Sequence, residues 1–360
     1  MKTILNIGLT LCLIMTACSS KSKENVESET TPANTTEIQI PSSFYKKLRG
    51  TIGDNIKLSM DLTRRDSTLS GGYYPENNVA SLYITGQFLQ SNEIKLREIN
   101  DKDEETGLFT GKFTSSEIFE GTWTNLKTKQ TLPFKLTEVK NDIANIAFEH
   151  LRNENYNAKK NKADKRFSYI DINMIKVSLP NASISEQINN SITKKILGTD
   201  NNTIKEYLNT VNVDEEFYRE VDIDFTVETN EKDFICLGYW YNVYDEGAAH
   251  PEHIGSYINY DLNNGSEIKL DQLLVPNYSD KLNQIAEKKF IEVNGKEGWD
   301  FQPGEFKLND NFAIKKGGLI FMFNSYEIGT YLPPGPVYIP YNEIKDLIKA
   351  ESLLLKIAQK

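Results

Sequence analysis

Phe109-Thr110-Gly111-Lys112-Phe113, followed shortly by Phe119-Glu120-Gly121-Thr122-Trp123, decides the fold of the first half of this chain. In both segments large apolar residues alternate with polar or small ones at a period of two, which places them on one face of an extended strand. The same signature precedes them at Ile56, Leu58, Met60 and Leu62, at Leu82 and Ile84, and at Ile94 and Leu96; it follows them at Leu132, Phe134 and Leu136. Turn-forming residues separate the segments at short intervals, including Gly71-Gly72, Pro75-Glu76-Asn77-Asn78 and Asn100-Asp101-Lys102-Asp103, and no helical spacing intervenes. The pattern predicts an all-β domain over residues 42–140, an antiparallel meander closed into a small barrel or paired as a sandwich.

The Gly121-Thr122-Trp123 step is similar to the Gly-x-Trp strands of avidin-like and lipocalin-like barrels, which implies a shape and no ligand. Residues 141–165 lose the alternation in a polar, basic stretch containing Lys159-Lys160-Asn161-Lys162, and read as a connector. Residues 166–360 then mix periods. A strand is expected at 169–179. A helix opens at Ser183, with Glu186 at capping-box spacing, and carries Ile184, Ile188, Ile192 and Ile196 on one stripe until Gly198. A second helix is expected at 203–211, and strands carry Val221, Ile223, Phe225 and Val227, then Ile235, Leu237, Tyr239 and Tyr241. Asn263-Asn264-Gly265 predicts a tight hairpin joining residues 257–262 to 268–270. A helix from Ser279 stops at Asn294-Gly295, Lys315-Lys316-Gly317-Gly318 turns a hairpin, and a closing helix starts at Asn342. Without regular βαβ units, the second half is expected to be an α+β domain with an antiparallel sheet and packed helices, giving a multi-domain chain.

The N-terminus supplies an address. Lys2 gives a positive start, residues 4–15 are apolar, and the small residues Thr16 and Ala17 precede Cys18. The run resembles a lipobox, with Met15 where Leu is usual. Residues 1–17 are therefore expected to be a lipoprotein signal peptide, too short to span a bilayer. Cys18 is the expected lipidation site, attaching the protein to a membrane of the bacterial cell envelope through acyl chains, on the outer membrane and facing either periplasm or surface. Residues 18–41 are rich in Ser, Thr, Glu, Lys and Asn and are expected to form a disordered tether. Cys12 leaves with the signal and Cys18 is acylated, so Cys236 stands alone and no intrachain disulfide is possible. Its setting, Phe234-Ile235-Cys236-Leu237, predicts a small buried apolar residue.

The formal net charge is −10, from 41 basic and 51 acidic residues. Residues 42–165 hold 19 basic and 17 acidic side chains, whereas residues 166–360 hold 19 and 30, a balance of −11. Such a surface repels nucleic acid and attracts a cationic partner through a long-range field that salt weakens. The sequence has no Ser-His-Asp ordering, no glycine-rich phosphate loop, no Cys-x-x-Cys pair and no basic aromatic patch, so neither a cofactor nor a nucleic-acid partner is expected. His250-Pro251-Glu252-His253 gathers two imidazoles and a carboxylate, a zinc-like composition. Pro251 interrupts the helical face on which such ligands converge, so a turn histidine bonded to backbone is the expectation. Glu327 beside Tyr326 and Tyr331 reads as a general acid or as a paired structural carboxylate. The stiff loop Tyr331-Leu332-Pro333-Pro334-Gly335-Pro336 suits either a recognition surface or a rigid connector.

Gly247-Ala248-Ala249-His250-Pro251, the Tyr257 to Leu262 hairpin strand and Leu270-Asp271-Gln272-Leu273-Leu274 together resemble the signature of the DUF3298 family, a domain of unknown function. Gly318-Leu319-Ile320-Phe321, Tyr326-Glu327-Ile328-Gly329-Thr330-Tyr331 and Val337-Tyr338-Ile339-Pro340-Tyr341 are similar to later blocks of that family, in the same order. The resemblance spans residues 166–350, including a weaker likeness near 171–197 to the DUF4163 segment that often precedes it. Ala248 departs from the usual second glycine, and Pro333-Pro334 from the usual small residues. The resemblance implies an extracytoplasmic α+β binding domain, as in the lysozyme-gripping sensor part of an anti-sigma factor and a non-catalytic region of peptidoglycan deacetylases. It transfers no catalytic or contact residue. The expected partner is a protein or glycan, with lysozyme and peptidoglycan as candidates, and the candidate ligand-binding residues are His250, Pro251, His253, Tyr326, Glu327, Tyr331, Pro333 and Pro334. Two other readings stay open, an envelope glycan hydrolase acting through Tyr326 and Glu327, and a structural lipoprotein of an envelope complex.

Overall fold

A computed structural model describes residues 38–75, 82–89, 92–100, 103–155, 167–199, 203–211 and 218–358. Cys18, the expected signal peptide and residues 18–37 of the expected tether lie outside the described residues, as do Glu76-Asn77-Asn78, Asp101-Lys102 and Lys159-Lys160-Asn161-Lys162. No helix among the described residues is long and apolar enough to cross a membrane.

Eight antiparallel strands form, β1 (Ser43–Ile52), β2 (Ile56–Arg65), β3 (Thr68–Pro75), β4 (Leu82–Phe88), β5 (Glu93–Ile99), β6 (Glu105–Phe113), β7 (Ile118–Asn125) and β8 (Thr131–Glu138). The six period-two segments are β2 and β4 to β8; β1 and β3 go beyond the sequence reading, and Gly71-Gly72, expected as a turn, lies inside β3 opposite Leu62 and Asp61. Each pairs with the next, and β1 closes on β8 from Leu48 opposite Glu138 to Ile52 opposite Phe134, so the meander is a barrel rather than a sandwich. An eight-stranded barrel is narrow enough for side chains to fill. Phe109 packs edge-on against Tyr73 and Phe134, with Leu48, Met60, Leu96 and Phe119 fully buried around it. Gly111 and Gly121 face each other across β6 and β7, where a Cβ on Gly121 would lie 2.5 Å from the Gly111 Cα and one on Gly111 would lie 2.9 Å from the Phe134 ring. These glycines let the strands approach and bend around the aromatic filling. One carboxylate is also inside. Glu98 is 4 % exposed and accepts from Trp123 Nε1 at 2.8 Å, from Thr106 Oγ1 at 2.5 Å and from the Tyr73 hydroxyl. Ile40 packs against this core and Arg64 Nη1 donates to the Ile40 and Pro41 carbonyls. Residues 40 and 41, expected as the end of the tether, are therefore fastened to the barrel.

The second half holds a five-stranded sheet in the order β13-β12-β11-β10-β9, built from β9 (Asn145–Asn155), β10 (Ser168–Ser178), β11 (Arg219–Asn230), β12 (Phe234–Asp245) and β13 (Glu252–Asp261). β9 corrects the sequence expectation, because it occupies eleven residues of the stretch read as a connector and pairs along its whole length with β10. The buried positions change parity, from Ile170 and Ile172 to Ile175 and Val177 on β10 and from Phe148 to Leu151 on β9, so β9 shows no clean alternation. A second correction concerns connectivity. β10 and β11 run parallel, joined through α1 (Ala182–Leu197) and α2 (Ile204–Leu208), so one βαβ unit is present in an otherwise antiparallel sheet. α1 buries Ile188, Ile192 and Ile196 in the sheet's core, each contributing about 1.5–3 kcal/mol of apolar burial. Its N-cap is Asn181 rather than Ser183, with the Asn181 side chain accepting from the Ser183 and Ile184 amides.

Asn263-Asn264-Gly265 does turn the chain, with Gly265 at φ 76°, but Leu270 then opens the short helix α3 (Leu270–Leu273) instead of continuing a strand. α4 (Ser279–Asn294) packs on a three-stranded sheet of β14 (Phe312–Ile314), β15 (Gly318–Phe321) and β16 (Val337–Pro340), around Phe290, Phe306 and Phe323. The expected closing helix from Asn342 is instead two short 3₁₀ turns followed by α5 (Leu353–Ala358). Cys236 is buried and free, and burial pushes its thiol up to about 12.

Polar ties at the end of β11 join the parts of the second half to one another and, at Glu231, to the barrel. A bulge between Val227 and Thr229 leaves Glu228 without a partner across the ladder and re-aims its side chain. The Glu228 carboxylate meets Lys315 Nζ at 2.7 Å, where Lys315 is 3 % exposed. Burial alone would push the Glu228 carboxyl up, but Lys315 outweighs it and holds it below the ordinary value. Thr229 Oγ1 donates to the Ile314 carbonyl at 3.0 Å, and the Asn230 side chain bonds both backbone groups of Ala144 at 2.8 and 3.0 Å. Glu231 reaches Lys47 of the barrel at 2.8 Å, where Lys47 also holds Asp61 at 3.2 Å and Tyr45 donates to the same Asp61 carboxylate. Arg65 pairs with Asp224 across the same seam.

Removing one partner of a buried ion pair strands the other's charge. Lys315→Met is expected to cost about 3–5 kcal/mol in urea unfolding, and adding Glu228→Gln should restore a large part of the loss. Because the folded Glu228 carboxyl lies below its unfolded value, its stabilisation is complete at neutral pH and fades as pH falls through the folded value. The gap in melting temperature between the parent and Glu228→Gln should therefore shrink on acidification from pH 7 to 3; a constant gap would contradict the assignment.

Candidate functional site

Two connections converge at one end of the five-stranded sheet. The β12–β13 turn passes through Gly247 at φ 87° and delivers His250 and Pro251 just before β13, while the segment after β15 carries Tyr326 to Tyr331. Asn324 fastens the second segment to the first, its side-chain oxygen accepting from the Gly255 amide at 2.7 Å. Asn311, just before β14, anchors the neighbouring chain to the same strand, accepting from the Tyr257 amide and donating to the Gly255 carbonyl.

The side chains so placed form an exposed aromatic and imidazole cluster. The His250 and Tyr331 rings stack with centroids 3.8 Å apart and planes 30° off parallel. Tyr326 closes on both, its hydroxyl 3.0 Å from His250 Nε2 and its ring 6.0 Å from that of Tyr331. The Pro251 carbonyl can only accept, so His250 Nδ1 donates to it at 3.0 Å, and in the neutral ring Nε2 then accepts the Tyr326 proton. The Tyr331 hydroxyl donates to the same carbonyl at 3.0 Å. His253 lies at the margin, its ring 6.5 Å from Tyr331 and its Nδ1 2.6 Å from Asn242 Oδ1. Four of the sequence candidates, His250, Pro251, Tyr326 and Tyr331, are thus joined directly, with His253 beside them.

Tyr326 is 62 % exposed and sits at φ 63°. A left-handed backbone is uncommon for a bulky residue and costs on the order of 1–3 kcal/mol unless its surroundings enforce it. The enforcement is visible. The Tyr326 amide donates to the Thr330 carbonyl at 3.0 Å, and the Glu327 amide to the Asn324 carbonyl at 3.2 Å. Glu327 is exposed, yet both carboxylate oxygens are engaged within the loop, one accepting from the Asn324 amide at 2.7 Å and the other from Asn309 Nδ2 at 2.8 Å. Beneath the turn, a Cβ on Gly329 would lie 2.9 Å from the Trp299 ring, so only glycine lets the backbone rest there.

Pro333 and Pro334 belong to the adjoining loop, which Asn294 at the end of α4 clamps by two hydrogen bonds to Gly335, at 2.7 and 3.1 Å. The loop presents Leu332, 73 % exposed, next to Pro333. Leu332 and the His253-orienting Asn242 were not among the sequence candidates. An apolar residue placed before a Pro-Pro pair was the available signal for Leu332; Asn242 carries none, because its place opposite His253 depends on cross-strand register.

Residues 271–341 match the family described as "Protein of unknown function (DUF3298)". That stretch takes in α4, β14 to β16 and the Tyr326 to Tyr331 segment, while the Gly247 to Pro251 block lies upstream of it. A crystal structure of a DUF3298 family member from Bacteroides fragilis is similar to this chain at a TM-score of 0.51 and 18 % identity, covering 60 % of this chain and 98 % of that one. A DUF3298 family protein from Pseudomonas aeruginosa is similar at 0.44 and 15 %, covering 57 % and 95 %. No curated protein matches. At 18 % identity the first likeness shows a shared fold.

If Glu327 braces the turn, Glu327→Ala frees the Asn324 amide. Hydrogen exchange at residues 324–330 should then quicken about fivefold, the equivalent of one lost hydrogen bond of about 1 kcal/mol, with α4 unchanged. Equal exchange in both proteins would remove the bracing role.

Proposed function

We propose that this chain is a non-catalytic, lipid-anchored binding protein of the bacterial cell envelope, capturing a protein or glycan on the face formed by His250, Tyr326, Tyr331, Leu332 and Pro333. A cationic protein such as lysozyme and the glycan of peptidoglycan are the ligand candidates. The observation that carries this reading is Tyr326, a large exposed ring held in a costly backbone conformation by a braced turn, its hydroxyl bonded to the His250 ring that stacks on Tyr331. Rigid exposed aromatics lose little entropy on binding and supply flat surfaces against which apolar faces of sugars or protein side chains pack. Strain retained at such a point marks function more often than stability.

The engagement of both Glu327 oxygens by loop amides favours binding over hydrolysis, since a general acid needs a proton-bearing oxygen directed at substrate. The −11 balance of residues 166–360 favours a cationic ligand. The lipobox-like run ending at Cys18 supports the anchor and the envelope location.

Calorimetry of a soluble fragment from residue 38 onward, against lysozyme and against peptidoglycan fragments, tests the proposal. Binding should weaken at least tenfold in Tyr326→Ala and in Leu332→Asp, and binding to lysozyme should also weaken as salt rises. Failure to bind lysozyme at either low or moderate salt eliminates that candidate. Glycan turnover that disappears in Glu327→Gln would replace the binding reading with the hydrolytic one. For the anchor, Cys18→Ala should abolish metabolic labelling with a fatty acid and release the protein from membranes.

A further inference from the structure

On the other side of the barrel seam lies a cleft of about 610 Å³ that plays no part in the site above. Four parts of the chain build it: β1 and β2 of the barrel, the turn between β11 and β12 with the start of β12, the β14–β15 turn, and α5. Its lining is unusual for an acidic protein. Arg49, Lys57, Lys232, Lys316 and Lys356 border it, against two carboxylates, Glu231 and Asp233. Glu231 is already met by Lys47 at 2.8 Å and Arg49 at 3.5 Å. Among the described residues, neither Lys316 nor Lys356 has an ion-pair partner within 4.0 Å. Apolar side chains complete the walls, with Leu58 and Phe234 at 3 % and 1 % exposure and Leu353 and Ile357 from α5. Ser59, 6 % exposed on the barrel wall, has a buried hydroxyl without a hydrogen-bond partner.

A cationic cleft with low-dielectric walls concentrates field and draws anions. Its volume falls in the range that takes an organic ligand, well beyond a single small anion. The pairing of lysines with aliphatic and aromatic walls matches a molecule with a charged head and an apolar body, and the orphan Ser59 hydroxyl would gain an acceptor from an oxyanion head. We propose that this cleft is a binding site for an anionic single-chain amphiphile of the long-chain carboxylate class, with the head among Lys316, Lys356 and Arg49 and the chain against Phe234, Leu353 and Ile357. The neighbouring lysines of the β14–β15 turn divide the work: Lys315 is buried with Glu228, while Lys316 lines the cleft.

Titration calorimetry of the full chain with laurate below its micellar concentration tests the assignment, with acetate and dodecyltrimethylammonium as comparison probes. Saturable one-site binding of laurate is expected, at least tenfold tighter than either comparison probe. The Lys316→Glu/Lys356→Glu double variant should weaken it at least tenfold without changing thermal unfolding. Tyr326→Ala should leave laurate binding as it is, so this site and the aromatic face stand or fall separately. Absence of saturable laurate binding, equal binding of acetate, equal binding of the cationic chain, or an undiminished affinity in the double variant would each overturn the proposal.

Discussion

Four consecutive residues at the end of β11 hold the chain together. Glu228 binds the small sheet through Lys315, Thr229 binds it again through the Ile314 carbonyl, Asn230 clamps the entry to β9 at Ala144, and Glu231 crosses to Lys47 of the barrel. Each has at least one fully buried partner, Lys315, Thr229, Asn230 or Lys47, so each is costly to leave half-made. The bulge at Glu228 makes the set possible, because without the extra residue successive side chains would return to a strict two-sided alternation. Barrel, sheet and small sheet are in this sense fixed by one short run of backbone, and both sites described above are placed relative to it. The aromatic face is built on the far ends of β12 and β13; the cleft begins at Glu231 itself.

The parts of this fold that are legible in the sequence are those set by local periodicity. A strand with one dry face must alternate, so β2, β4 to β8 and β11 are readable from residues such as Leu58, Phe109, Val221 and Ile223. β1 is buried on both faces, at Phe44, Tyr45, Lys47 and Leu48, and β3 carries Gly71-Gly72, which reads as a turn, so neither shows the pattern. α1 is equally readable from Ile188, Ile192 and Ile196. What was hidden depends on partners distant in the chain. β9 was obscured because its apolar positions, Ile146, Phe148 and Leu151, change parity partway along. The parallel pairing of β10 with β11 is a matter of which edge α1 and α2 cross, and no residue announces that choice. Nor does the run Thr226-Val227-Glu228-Thr229 announce a bulge, since it reads as uninterrupted alternation.

For the aromatic face the sequence supplied most of the members and little of the arrangement. His250 and Tyr331 are far apart in the chain, and they meet where the Asn324 side chain ties the segment after β15 to β13 and the Tyr331 hydroxyl reaches the Pro251 carbonyl. Glu327 shows the limit most clearly. Flanked by tyrosines, it has the composition of a catalytic carboxylate, and only its two amide partners reveal it as the brace of a turn. The cleft was not legible at all. Its cations come from positions 49, 57, 232, 316 and 356, each unremarkable among its sequence neighbours.

The seam between barrel and sheet also governs the order of folding. All eight barrel strands lie between Ser43 and Glu138 and close on one another, so the ladder needs no strand of the second half, and an interval separates its closure from the docking of Glu231. Throughout it, the outer surface of β1 and β2 shows solvent a lysine, an aspartate and a tyrosine already bonded to one another. An apolar surface waiting through it would invite association with other chains, whereas a hydrated, self-paired one does not. The charged seam therefore lets the first domain stand finished and harmless until the second arrives to cover it.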